Sequence, residues 1–368
     1  MRVLRMVMGL LLCAAAACNT PEPAVTRSAI KTAAPRGPGD SIIEFTGAGA
    51  SFPYPLYARW FNSYSEQSNV RINYRAIGST AGIAELTART ADFGGSDLPL
   101  SDGDALSAKT RIVHIPTAVG AVAITYNLPA VKRPLRLTGE VTAAIFLGRI
   151  TRWRDSQITA LNPTVSLPDL PITVVHRSDG SGTSQILSQY LASASSEWAS
   201  GPARQPDIVW PVGETGDGNA GVAGRVKQTE GALGYLEVVY ARQNRLSIAH
   251  LRNAAGRFVS PLPFEVATAA ADVLERRPRT SDALTGAEFR VSLLNSTAPA
   301  AYPMASFTWL LIPVDVLGPV RTGVLLDFVE WALTDAREIT EAMGYVALPS
   351  VVSDRVLESL RTLRPPAP

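Results

Sequence analysis

Val174-Val175-His176-Arg177-Ser178-Asp179-Gly180-Ser181-Gly182-Thr183-Ser184 begins as a strand and ends as the start of a helix. Val174 and Val175 are β-branched and suit a strand. Asp179 to Ser184 is glycine and small hydroxyl residues, the chemistry of turns and helix caps. Ile186, Leu187, Tyr190 and Leu191 then recur at helical spacing. Strand, glycine loop and helix in succession form the repeating unit of an α/β fold, in which ligands sit where strands end and helices begin.

The same unit recurs upstream. Ile42 to Phe45 reads as a strand entering Gly47-Ala48-Gly49-Ala50-Ser51-Phe52, and Leu56, Trp60, Phe61 and Tyr64 mark the helix after it. Val70 to Ile77 alternates as a strand before Gly78-Ser79-Thr80-Ala81-Gly82 and a short helix through Leu86. Ile112 to Ile115 and Ala121 to Tyr126 are two more strand candidates. Late in the chain, Val320, Val324, Leu325, Phe328, Val329 and Ala332 form an amphipathic helix.

Three joints of this composition present backbone N–H groups at helix starts, with the positive end of a helix dipole behind them. Glycine lets a ligand approach the backbone, and Ser and Thr hydroxyls add donors. Together they describe a cage for a small oxyanion held mostly by neutral dipoles. The overall charge agrees with a local rather than a global attraction. The chain has 34 Lys plus Arg against 32 Asp plus Glu, a net +2, too balanced for nucleic-acid binding or long-range steering of an anion.

Two charges sharpen the chemistry. Arg177 precedes the third joint, where its guanidinium can take two oxygens of a tetrahedral anion, with Asp179 pairing to it and fixing its orientation. Asp97, in Asp92-Phe93-Gly94-Gly95-Ser96-Asp97, would repel a bare anion but accepts a hydrogen bond from one that carries a proton. Monohydrogen phosphate carries such a proton, and sulfate does not.

The N-terminus reads as an export signal. Arg2 and Arg5 precede an apolar run from Met6 to Ala17, shorter than the roughly 20 residues of a membrane span. Ala15-Ala16-Ala17-Cys18 resembles a lipobox, so residues 1–18 are expected to be a signal peptide with Cys18 lipidated. Residues 19–40, rich in Pro, Ala and Thr, read as a flexible tether. Cys13 and Cys18 are the only cysteines, so the body has neither disulfide nor thiol nucleophile.

These stretches together resemble the phosphate-binding subunit of the bacterial phosphate ABC importer. The likeness rests on Thr46 to Pro53 (TGAGASFP), Ile77 to Gly82, Asp92 to Leu100 (DFGGSDLPL) and Arg177 to Ser184 (RSDGSGTS). It is supported by Ile145 to Trp153, Gly231 to Glu237 and Phe328 to Pro349, and it spans about Ser41 to Arg364. Ser51 stands where that family usually has Thr, which keeps the hydroxyl, and the stretch from Arg252 to Ala301 matches poorly.

The resemblance implies a type II periplasmic-binding-protein fold: two lobes, two mixed sheets flanked by helices, and a hinge that the chain crosses twice. One lobe would combine 41–126 with 306–368, and the other would be 127–305. It implies phosphate ligands at Ser51, Phe52 through its N–H, Ser79, Asp97, Arg177, Ser181, Gly182 through its N–H, and Thr183. It further implies a monomeric, non-enzymatic binding protein, exported to the periplasm or cell surface and tethered there by lipid, that passes phosphate to a membrane permease.

Other readings are weaker. Gly216-Asp217-Gly218-Asn219-Ala220-Gly221 fits the dinucleotide pattern G-x-G-x-x-G, but the strand candidate before it, Ile208 to Trp210, leaves too long a gap for the tight turn required. A loop opening a helix is expected there instead. A secreted phosphatase needs a nucleophile with a base, or a metal cluster. His114, His176 and His250 are scattered without ligand spacing, the first two inside strand candidates, so neither metal nor cofactor is expected. A binding protein for sulfate, molybdate or tungstate is the nearest alternative, with Asp97 as the discriminating residue.

Overall fold

The computed structural model describes residues 41–204, 208–275 and 289–364. The expected signal peptide, Cys18 and tether lie outside them. Twelve strands are present in the described residues: β1 (Ile43–Gly49), β2 (Val70–Arg75), β3 (Phe93–Ser96), β4 (Ile112–Tyr126), β5 (Arg136–Leu137), β6 (Thr173–Arg177), β7 (Glu214–Gly216), β8 (Ala232–Glu237), β9 (Ser247–Ile248), β10 (His250–Arg252), β11 (Phe258–Val259) and β12 (Ala305–Pro313). The main sheet runs β2-β1-β3-β12-β4-β8-β6-β7, with β9 also on β4, and β11-β10-β5 form a small second sheet.

The strand-loop-helix units close as parallel crossovers. β1 pairs in parallel with both β2 and β3, and β6 pairs in parallel with β7 and β8. Between β1 and β2, the helix Tyr54–Gln67 buries Leu56, Trp60 and Phe61, the face its periodicity predicted. Helices Ser79–Thr87 and Gly182–Ala194 likewise begin at the glycine joints. In helix Pro319–Leu333 the buried face includes Leu325, Phe328, Val329 and Ala332, while Val320 at its start is exposed.

The α/β class and the mixed strand directions agree with the sequence reading, with one refinement. The two groups, β2-β1-β3-β12-β4 and β4-β8-β6-β7, share β4. Its two strand candidates are a single strand in which all fifteen residues are buried, as expected of a strand covered on both faces. It pairs antiparallel with β12 up to Ala121 and with β8 from Val122 onward. Pro116, which cannot donate to a ladder, is tolerated because the register with β12 slips beside it, Thr308 facing Ala118 and Trp309 facing Pro116. At the exchange of partners, Val122 N–H donates to Met304 O at 2.9 Å, so the entry to β12 lies beside the middle of β4.

Candidate functional site

The first joint leaves β1 through Gly49, whose φ of 146° suits glycine. A Cβ there would stand 2.0 Å from Gly95 O, so the end of β1 presses directly on β3. Ala50 N–H donates to that same carbonyl at 2.8 Å. Two tyrosines from distant segments grip the next two residues of the joint. Tyr240 Oη donates to Ser51 O at 2.6 Å, and Tyr345 Oη to Phe52 O at 2.7 Å.

The second and third joints meet each other. Thr80 N–H donates to Gly180 O at 3.2 Å. Gly78, at φ 91°, allows this approach, since a Cβ on it would lie 2.4 Å from Gly180 O. Gly182 is equally close to the opposite side: a Cβ on it would fall 2.8 Å from both Asp97 Cβ and Ser79 Oγ.

Around these contacts the charged groups form one buried network. Arg177 Nε donates to Asp179 Oδ1 at 2.6 Å, and Nη2 donates to Asp179 Oδ2. Burial raises the Asp179 carboxyl, but the Arg177 hydrogen bonds and charge outweigh it and hold the group below its ordinary value. Of the five guanidinium N–H donors, those on Nη1 and the outer one on Nη2 are left, and Nη1 reaches Thr183 Oγ1 at 3.5 Å. Asp97 is 1% exposed; its Oδ1 accepts from Thr308 Oγ1 at 3.1 Å, and its N–H donates to Ser79 Oγ at 3.4 Å.

Ser79, Asp97, Arg177, Gly182 and Thr183 are thus linked through contacts and shared partners, and Ser51 joins them through Asn219 Nδ2, which donates to both Ser51 Oγ and Thr183 Oγ1. Ser181 also belongs to the joint, but its Oγ caps its own helix by accepting from Ser184 N–H at 3.2 Å. A cleft of about 620 Å³ borders the network and is lined by Ser79, Thr80, Ser181 and Gly182. Asp97, Arg177 and Thr183 do not line it.

The loop expected at Gly216 to Gly221 does open a helix, and it forms a fourth joint whose strand and place in the site the sequence reading did not assign. β7, ending at Gly216, precedes the helix Gly218–Gln228 directly, so the strand lies at 214–216 rather than 208–210. The separation that argued against a tight turn is therefore absent. The first amides of that helix are nevertheless turned inward: Gly218 N–H donates to Asp179 Oδ1 and Asn219 N–H to Ser51 Oγ, both at 3.2 Å. The joint serves the network, and these amides are not left for a pyrophosphate. A strand-glycine-helix pattern matching the other three joints was the available signal, and Asn219, 0% exposed, is the residue it would have found.

His114 and His176 are structural. His114 Nε2 accepts from Leu100 N–H at 3.0 Å, and burial drives its pKa down to about 4. His176 stacks on Trp210 with ring centroids 5.0 Å apart.

Two carboxyls near the centre titrate far from their usual range. Burial pushes Asp97 up to about 7, against the pull of Thr308, Arg177 and Ser79. Burial pushes Glu237, at the end of β8, up to about 8, with the Asp97 charge adding to it against the Val239 N–H and Arg242. Their ordinary values are 3.8 and 4.5, so between those values and 7–8 the folded chain binds more protons than the unfolded one. Stability therefore falls as pH rises through this window, and the loss is complete above it. In a buffer without oxyanions the melting temperature should be higher at pH 5 than at pH 8 by roughly 3–6 °C. Scanning calorimetry checks this, and Asp97→Asn with Glu237→Gln should remove most of the difference.

The comparisons with known proteins agree with this architecture. The sequence profile of a "PBP superfamily domain" matches residues 26–336. Phosphate-binding protein PstS of Xylella fastidiosa (strain Temecula1) is 37% identical over 326 residues, covering 88% of this chain and 87% of that protein. Phosphate-binding protein PstS of Methanocaldococcus jannaschii is 33% identical over 344 residues, covering 89% and 87%. Among solved structures, the phosphate binding protein of Stenotrophomonas maltophilia superposes with a TM-score of 0.65 at 19% identity, over 87% of this chain and 94% of that one. An ABC-type phosphate transport receptor from Vibrio cholerae gives 0.55 at 18% identity, over 83% and 100%. Sequence identity over nearly the whole length, joined to the shared fold, places this chain in the PstS family of the PBP superfamily.

Proposed function

We propose that this protein binds inorganic phosphate, in its monohydrogen form, at the buried network and delivers it to the membrane permease of an ABC importer. One observation carries the ligand: Asp97 is a buried carboxylate set among donors. Its Oδ1 is engaged by Thr308, while Oδ2 lies toward Gly182, 3.0 Å from where a Cβ on that glycine would stand. Oδ2 is the acceptor for the P–OH. Arg177 supplies the free edge of its guanidinium, Ser51, Ser79, Ser181 and Thr183 supply hydroxyls, and Phe52 and Gly182 supply backbone N–H groups. Delivery rests on the kinship with phosphate-binding proteins of importers.

Residues 41–126 with 306–368 form one lobe in this reading, and 127–305 form the other. A crossing near these bounds is supported by the exchange of partners in β4 at Ala121 and Val122, beside Met304 and Ala305 where the chain returns, although residues 122–126 pair with β8 and β9 of the second lobe. Bending there separates the second joint from the third. The chain is exported by the segment 1–18, anchored through lipid on Cys18 and works as a monomer. No helix among the described residues is long and apolar enough to cross a membrane.

Calorimetric titration of the full chain, stripped of bound phosphate, tests the central claim. Phosphate should bind one to one, with no heat from sulfate. Sulfate binding in its place overturns the ligand assignment, and binding of neither overturns the site.

A further inference from the structure

Asn219 sits where the first and third joints come together. Its Nδ2 donates to Ser51 Oγ at 3.0 Å and to Thr183 Oγ1 at 3.4 Å. Its Oδ1 accepts the N–H of Glu237 at 2.9 Å, and that backbone donor fixes which way the amide faces. The residue's own N–H gives Ser51 Oγ a second hydrogen bond at 3.2 Å. Thr183 Oγ1 receives its second from Arg177 Nη1 at 3.5 Å. Both hydroxyl oxygens therefore accept two N–H groups each.

A hydroxyl has two lone pairs and one proton. With both lone pairs engaged, the oxygen can accept nothing more, and its proton is left to point away from the donors. We infer that Asn219 is a positioning residue that turns Ser51 and Thr183 into donor-only groups facing the anion. A serine or threonine in a loop is otherwise free to rotate, offering a lone pair as readily as a proton. Here the rotation is settled before the ligand arrives, so its entropy is not lost on binding. The polarity also complements Asp97: the ligand's proton is accepted at the carboxylate and refused at these two hydroxyls. This role rests on the phosphate reading given above.

A double-mutant cycle separates this role from simple packing, because residues that act through one another give non-additive effects. In the full chain, Asn219→Ala should weaken phosphate binding at least about tenfold, the scale of losing two aligned hydrogen bonds. In the background Ser51→Ala with Thr183→Val, which has no hydroxyls to align, the same change should weaken binding less than about threefold. Equal factors in the two backgrounds, or no loss in the first, overturn the inference. If Asn219→Ala does not fold, Asn219→Asp keeps the shape and the acceptor for Glu237 N–H. Its charge penalty is common to both backgrounds, so the difference between them still reads the hydroxyls, and equal factors again overturn the inference. Failure of the unaltered chain to bind phosphate is a separate result that removes the phosphate reading itself.

Discussion

Arg177→Ala should weaken phosphate binding by two to three orders of magnitude, since truncating one partner of a buried charge-assisted contact costs about 2–5 kcal/mol. The Arg177 side chain is 2% exposed, so its donors are shielded from water in the intact protein. The truncation also leaves Asp179, still held by the N–H of Gly218, without its cation. An uncompensated carboxylate then stands where an anion must approach, adding repulsion to the loss of donors. Arg177→Lys restores the charge but not the planar fork, and should fall between wild type and alanine. Calorimetry on the three proteins measures the series. A loss below tenfold for the alanine variant would place Arg177 outside the contact shell.

Asp97→Asn should act on selectivity more than on affinity. Above its pKa of about 7 the wild-type group is a carboxylate, and it then refuses sulfate because neither partner has a proton to place between them. An asparagine keeps an oxygen for Thr308 Oγ1 and turns an N–H₂ toward the ligand. Sulfate then meets a donor in place of a charge, while phosphate loses its charge-assisted acceptor. The ratio of phosphate to sulfate affinity should fall on the order of a hundredfold, the combined effect of one lost and one gained hydrogen bond at a buried site. Competition titrations of sulfate against phosphate read this ratio, and an unchanged value would mean that Asp97 does not face the ligand.

The parts of this site that were legible in the sequence are those whose chemistry is local. Glycine followed by Ser or Thr at a helix start announces its N–H groups and hydroxyls without knowledge of the rest of the chain. Arg177 and Asp179 are two residues apart and pair as their spacing suggested. Asn219 was missed because β7 is three residues long with two of them exposed, too short for any apolar alternation to mark it. The grip of Tyr240 and Tyr345 on the first joint was equally hidden, since those residues lie 189 and 293 positions away. The continuity of β4 was obscured by Pro116, which reads as a break and is accommodated only by a register slip against a partner strand from the far end of the chain. Long-range pairing of this kind has no local signature.

β12 lies between β3 and β4, antiparallel to both, and Thr308 on it reaches Asp97 across 211 positions of chain. A ribosome working from the N-terminus therefore makes two strands that are joined into one sheet only when a third, made much later, slips between them. Until then each keeps one open edge. Strands β2-β1-β3 and β4-β8-β6-β7 can pair earlier, but the sheet that joins them waits for β12. The last strand to emerge both seals the sheet and steadies the carboxylate that reads the ligand's proton, so one element serves stability and selectivity together.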